Sequence, residues 1–75
     1  MEQKKLTADE ITTMHYANKV AGDTQASIAR RYNVSQGTVS RYVSQIEEQI
    51  QAMKKQGRDS HAARMEAYDS FKRTY

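Results

Sequence analysis

The 75 residues are enough for one small domain and no more. The apolar share is 37%, but nine of those residues are Ala, and Leu, Ile, Val and Phe together number only ten. Twelve Lys and Arg against nine Asp and Glu leave a net charge of +3, too small for composition-driven disorder, so the chain reads as a folded but marginal domain. A core of this size rarely supplies more than ~3 to 5 kcal/mol without a disulfide, a metal or oligomerisation. The absence of Cys excludes a disulfide and a thiolate metal site, and His15 and His61 are too far apart in sequence to read as a ligand pair. Oligomerisation is the staple left to expect. No stretch has the apolar length of a signal peptide or a membrane span, from which a soluble, cytoplasmic protein is expected. With no Pro, three Gly and an abundance of Ala, Gln, Glu, Lys, Arg and Met, the predicted fold is all-α.

Thr7-Ala8-Asp9-Glu10 is a capping box, with Leu6 and Ile11 in the staple positions around it. Ile11, Met14, Ala17 and Ala21 then share one face and Gly22 is a natural stop, so the first helix is predicted over 8–21. Tyr16 and Val20 lie off that face, four residues apart, and read equally as a contact with a partner or with the C-terminal tail and as scattered surface apolar residues. Asp23 or Thr24 can cap a short second helix that carries Ile28, Ala29 and Tyr32 inward. It ends at Asn33, the residue type after Gly that best accepts the left-handed conformation, and Ser35 can cap the next helix after a tight turn.

The third helix is long, predicted over 36–56. Val39, Tyr42, Val43, Ile46, Ile50 and Met53 hold one apolar stripe until Gly57, and part of it has the 4-3 spacing of a heptad seam. Beyond Gly57, Asp59 or Ser60 starts a fourth helix in which Met65, Tyr68, Phe71 and Tyr75 share a face.

Residues 24–43, TQASIARRYNVSQGTVSRYV, resemble the helix-turn-helix DNA-binding motif of bacterial and phage regulators and of resolvase-type recombinases. In that family a small residue in the first helix of the motif lets the two helices approach, and Ala29 stands there. Its apolar positions are matched by Ile28, Tyr32, Val34, Val39 and Tyr42, and its usual turn glycine is replaced by Asn33, which still meets the demand for positive φ. The resemblance covers about a quarter of the chain. With the first helix added it implies a tri-helical DNA-binding domain over 6–46, preceded by a basic arm at 1–5 and followed by a helical extension at 47–75.

The residues support the same chemistry. Turning Val39, Tyr42, Val43 and Ile46 inward puts Gly37, Ser40, Arg41 and Ser44 on the opposite face, with Gln36 and Thr38 at its N-terminal edge. Short side chains let a helix approach base edges, Gln can pair with adenine, Arg with guanine, and a Thr methyl with thymine. Thr24 and Ser35, as caps, leave amide-rich helix starts for phosphates, where Gln25 can also donate. Arg30 and Arg31 read equally as phosphate contacts and as solvation of the second helix. Glu48 bounds the surface because a carboxylate repels phosphate. Lys4 and Lys5 form the arm, which reads as a backbone or minor-groove contact or as a solvated terminus.

The expected partner is double-stranded DNA, bound by a homodimer on paired half-sites, with Ile50, Met53, Met65, Tyr68, Phe71 and Tyr75 as the dimer or partner interface. Two arrangements satisfy that apolar set: the fourth helix folds back onto the stripe within one chain, or the stripes of two chains meet, and the spacing favours the second. No cofactor, metal, membrane contact or small-molecule substrate is expected, and no catalytic constellation is evident. A rival reading is a helical module that engages a host protein such as RNA polymerase through its aromatic tail or the Tyr16/Val20 face. A further one is an accessory in recombination or packaging. The even charge, net +1 in each of 1–35, 36–57 and 58–75, speaks for the protein-binding reading.

Overall fold

The computed structural model describes residues 5–75; residues 1–4, and with them most of the expected basic arm, lie outside that range. Four helices follow one another, and the described residues contain no strand: α1 (Ala8–Lys19), α2 (Gln25–Tyr32), α3 (Gln36–Lys55) and α4 (Ser60–Thr74). None is long and apolar enough to cross a membrane.

Each helix begins where a short polar side chain satisfies an otherwise orphaned amide. Thr7 and Glu10 close the reciprocal capping box at α1, with the Thr7 amide donating to Glu10 Oε1 at 2.9 Å and the Glu10 amide to Thr7 Oγ1 at 3.1 Å. Thr24, Ser35 and Asp59 accept from the amides of Ser27, Thr38 and Ala62 in the same way. The α1 helix ends two residues before the expected boundary. There the Asp23 amide reaches back to the Ala17 carbonyl, the Asn18 side chain donates to the Asp23 carbonyl at 2.8 Å, and Gly22 takes φ +85°. Ala21, expected on the buried face, is therefore exposed beyond the helix.

One core unites the four helices. Leu6, Ile11, Met14 and Ala17 meet Ile28 and Ala29 of α2, Val39, Val43, Ile46 and Ile50 of α3, and Ala63, Ala67 and Phe71 of α4. Gly57 at φ +97° lets the chain reverse, and α4 lies back along α3 and α1. The stripe that the spacing assigned to a second chain is thus covered within this one. Ile50 and Phe71 are buried and Met53 and Tyr68 half-buried by the fold-back, so this part of the expected interface is internal. Heptad-like spacing states only that a helix covers the seam, not whose helix it is.

The expected face of α4 also needs correction. Its buried residues are Ala63, Ala67 and Phe71, at successive four-residue steps, whereas Met65 and Tyr75 are 43% and 50% exposed. The two alanines let the α4 backbone approach its neighbours closely, which larger side chains at those positions would prevent. Tyr75 still contributes at the rim, where its hydroxyl donates to the Leu6 carbonyl at 2.9 Å, its ring stacks on Phe71 and it meets Tyr42 edge-on. Across α1, Lys72 pairs with Asp9 at 3.0 Å and the Arg64 guanidinium lies over Tyr16.

His15 is 1% exposed and joins three helices. Its Nε2 is 2.8 Å from Glu47 Oε1 on α3 and its Nδ1 is 2.7 Å from the Tyr68 hydroxyl on α4. Burial holds the imidazole below its ordinary pKa, against the pull of Glu47. For Glu47 the balance runs the other way: burial alone would raise the carboxyl, but hydrogen bonds from His15 and Gln51 outweigh it and hold the group below its usual range. An ionised Glu47 only accepts, so neutral His15 carries its proton on Nε2 and takes the Tyr68 O–H at Nδ1. Burial pushes the Tyr68 hydroxyl up to about 12, which keeps that donor protonated.

Candidate nucleic-acid interface

The surface to which the sequence pointed is built by α2, a tight turn and the first half of α3. Asn33 sits at φ 58°, ψ 46°, the left-handed conformation its amide side chain tolerates. The Val34 amide returns to the Ala29 carbonyl at 3.0 Å and the Asn33 amide to the Arg30 carbonyl at 3.3 Å, a Schellman closure that occupies two carbonyls of the last turn of α2. Two residues later Ser35 caps α3. Its Oγ accepts the Thr38 amide at 3.1 Å and lies 2.8 Å from the Thr38 hydroxyl. Ala29, 6% exposed, and the fully buried Ile28 and Val39 pack behind the turn, with Val34 and Tyr32 half-buried over them.

With that register set, Gln36, Gly37, Arg41 and Ser44 project to solvent, while Ser40 and Thr38 are half-buried beside them. Thr24 and Ser35 are exposed at the starts of α2 and α3. The expected set thus falls on one connected stretch of α2 and α3. Thr38 differs in role, because its hydroxyl is engaged by Ser35 before any ligand arrives. Gly37 has ordinary helical backbone, and a methyl group placed there would meet nothing nearer than Ser35 Oγ at 4.0 Å. Nothing among the described residues calls for a glycine at this position.

The two arginines of α2 separate. Both stand in its last turn, where cations complement the helix dipole. Arg31 reaches Asp23 at 3.3 Å, whereas Arg30, like Arg41, has no carboxylate partner among the described residues. Gln25 is half-buried and lines an open groove of about 560 Å³ with Ser44, Lys19, Glu47, Glu48 and Lys55. Lys19 is the member of this neighbourhood that sequence reasoning missed. Its signal was its place in the last turn of α1, just before the loop that delivers Thr24. Glu48 lies on the same groove, at the edge where the sequence placed the end of the phosphate-compatible surface.

The interface residues expected on α3 and α4 do not form one exposed patch. Ile50 and Phe71 are buried, Met53 and Tyr68 half-buried, and only Met65 and Tyr75 are exposed. Tyr16 and Val20 of α1 are 46% and 45% exposed. No protein-family model, curated protein or solved structure matches the chain.

Proposed function

We propose that the chain is a sequence-specific double-stranded DNA-binding protein of the helix-turn-helix type, a small transcriptional regulator that inserts the first half of α3 into the major groove. The observation that carries this reading is the surface at the start of α3. A left-handed Asn33 turn fixes α3 against α2, and the face left in solvent bears a glycine without an internal reason, a glutamine, two serines and one unpaired arginine. On this reading Arg41 reads a base edge, Gln36 and Ser44 flank it, and Gly37 admits the groove wall. Thr24, Gln25, Ser35 and Arg30 hold phosphates on either side. Two copies on half-sites a helical turn apart suit such recognition, and with α4 docked they meet through surface other than Ile50 and Phe71.

The test is selection from random duplexes followed by affinity measurements at two salt concentrations. The expected result is a preferred sequence whose discrimination falls by ~1 to 3 kcal/mol in Arg41→Ala at one base pair, while Arg30→Ala weakens all duplexes alike and flattens the salt dependence. An intact preference in Arg41→Ala removes that residue as reader, and the absence of any duplex affinity at low salt removes the function.

A protein-binding module is the second reading. It is favoured by the exposure of Tyr16 and Val20 on α1, remote in sequence from the face just described. Loss of partner capture, with duplex affinity unchanged, in Tyr16→Ser would identify it.

A further inference from the structure

Away from the α2–α3 turn, the end of α1, the second half of α3 and the start of α4 enclose a small pocket of about 130 Å³. Lys19, Lys54 and Arg64 line it together with Ser60, Val20 and Gln51, and the His15–Glu47 pair lies at its wall. We infer that this pocket is a binding site for a small phosphate-bearing anion, held between Lys19, Lys54 and Arg64.

Three cations come from three different helices, and none is ion-paired among the described residues. Gathering like charges around one cavity is unfavourable unless an anion answers them. Among the described residues one carboxylate stands in the wall, Glu47, with Oε1 at 2.8 Å from His15 and Oε2 accepting from Gln51 at 2.9 Å, and its single charge offsets only part of the three. Arg64 adds a second, independent sign. Its terminal nitrogen reaches His61 at 3.2 Å and its guanidinium lies over Tyr16, but its Nε–H is buried without an acceptor. A buried donor left unsatisfied is destabilising, and a turn of the guanidinium toward the pocket would offer it a ligand oxygen.

The size of the cavity suits a phosphate group rather than a chain of them. Lys54 stands ~20 Å along α3 from Arg41, so a duplex on the recognition face, which can approach Lys19 through the groove it shares with Gln25, does not span all three cations. The ligand is therefore a free phosphate or a small phosphate ester. Because it joins α4 to α1 and α3, it stabilises the folded-back chain by mass action.

Titration of the full chain with inorganic phosphate, without DNA and at ionic strength held constant with chloride, tests the site. Amide chemical shifts and the melting temperature are the readouts. The expected result is a saturable shift at Lys19, Val20, Ser60 and Arg64 with a rising melting temperature, and an affinity roughly tenfold weaker in each of Lys19→Gln and Lys54→Gln. Both lysines are exposed, so these variants keep the fold where Arg64→Gln, at a partly buried position, can lose it. A response matched by chloride, or unchanged in the Lys19→Gln/Lys54→Gln double variant, overturns the site. So do shifts confined to Gln36–Arg41, which would put phosphate on the recognition face, and a short duplex that perturbs the pocket residues more strongly than phosphate does.

Discussion

The two halves of α3 share one helix and one apolar stripe, yet they serve opposite ends. Over residues 36–44 the inward side packs on α1 and α2 while the outward side is left to solvent as Gly37, Arg41 and Ser44. From Ile46 onward α4 and the His15–Glu47–Tyr68 bridge close over the helix and bury Ile50. In a chain with so few large aliphatic residues, the second half supplies the packing that allows the first to leave a face unpacked. Stability and recognition should then separate by position along a single helix.

The strongest challenge to that division is Phe71→Ala. Phe71 is the largest fully buried side chain and couples α4 to the rest of the core. Its truncation should cost about 3 to 5 kcal/mol, enough to unfold a domain of this size or bring its melting point near ambient temperature. If circular dichroism instead showed residues 5–57 melting as before, α4 would be an appendage and the two halves of α3 would be independent.

On the other side of the comparison, Ala29→Leu should overpack the crossing of α2 and α3 and destabilise by ~1 to 3 kcal/mol. Asn33→Val forces a β-branched residue into the left-handed region, at roughly 1 to 2 kcal/mol, while Asn33→Gly should be neutral or mildly stabilising. An unchanged melting temperature in Asn33→Val would mean that the turn is not as described.

Much of this architecture was legible in the sequence because its determinants are local. Thr7, Thr24, Ser35 and Asp59 act within three residues of themselves, and Asn33 acts on its own φ, so each could be read in place. The buried stripe of α3 follows from spacing alone. The partner of that stripe does not, because a helix from the same chain and one from another chain present the same pattern, and the choice depends on whether α4 can lie close enough. That depends in turn on Ala63 and Ala67, residues too small to stand out beside Met65 and Tyr68. The bridging role of His15 is not legible in the sequence because its partners lie 32 and 53 residues away. The available clue was its position four residues after Ile11 and next to Met14, on the buried side of α1. The recognition face was legible as residue types, and the turn adds their common exposure; the unsatisfied Arg64 Nε could only come from the packed structure.

The polar bridge makes the packed half sensitive to acid. His15 has a lowered pKa when folded, so the unfolded chain binds the proton more readily. Its contribution is present above its ordinary value of about 6.5 and is lost as the pH falls through the lowered folded value. Glu47, also lowered, has the same sign in a more acidic window, below its ordinary value of 4.5. Tyr68, raised to about 12, acts at the other end: its contribution holds below pH 10 and is lost as the pH rises through 12. The urea midpoint should therefore fall between about pH 7 and 5 and again near pH 4, with a smaller total effect than Phe71→Ala. A midpoint that stays level from pH 7 to 5 would show that His15 titrates alike in both states.

The smallest effect on stability is also the one that separates the two halves most sharply. Gly37 occupies an exposed position in the first turn of α3, where glycine is less favourable than alanine by roughly 0.5 to 1 kcal/mol. The backbone there is helical and the space open, so Gly37→Ala should stabilise the chain by up to that amount. The same methyl group stands on the surface proposed to enter the major groove, where it would hold the helix away from base edges. Melting temperature should rise and duplex affinity fall in a single variant, a combination that neither a packing role nor a neutral surface position produces. On the packed half no such division is available, because Ala63→Gly or Ala67→Gly, within a buried helix, should lower stability without gaining anything at a ligand. If Gly37→Ala raised stability and left the affinity and sequence preference of the chain for DNA untouched, this face of α3 would be ordinary solvated helix and the proposed docking geometry would be wrong.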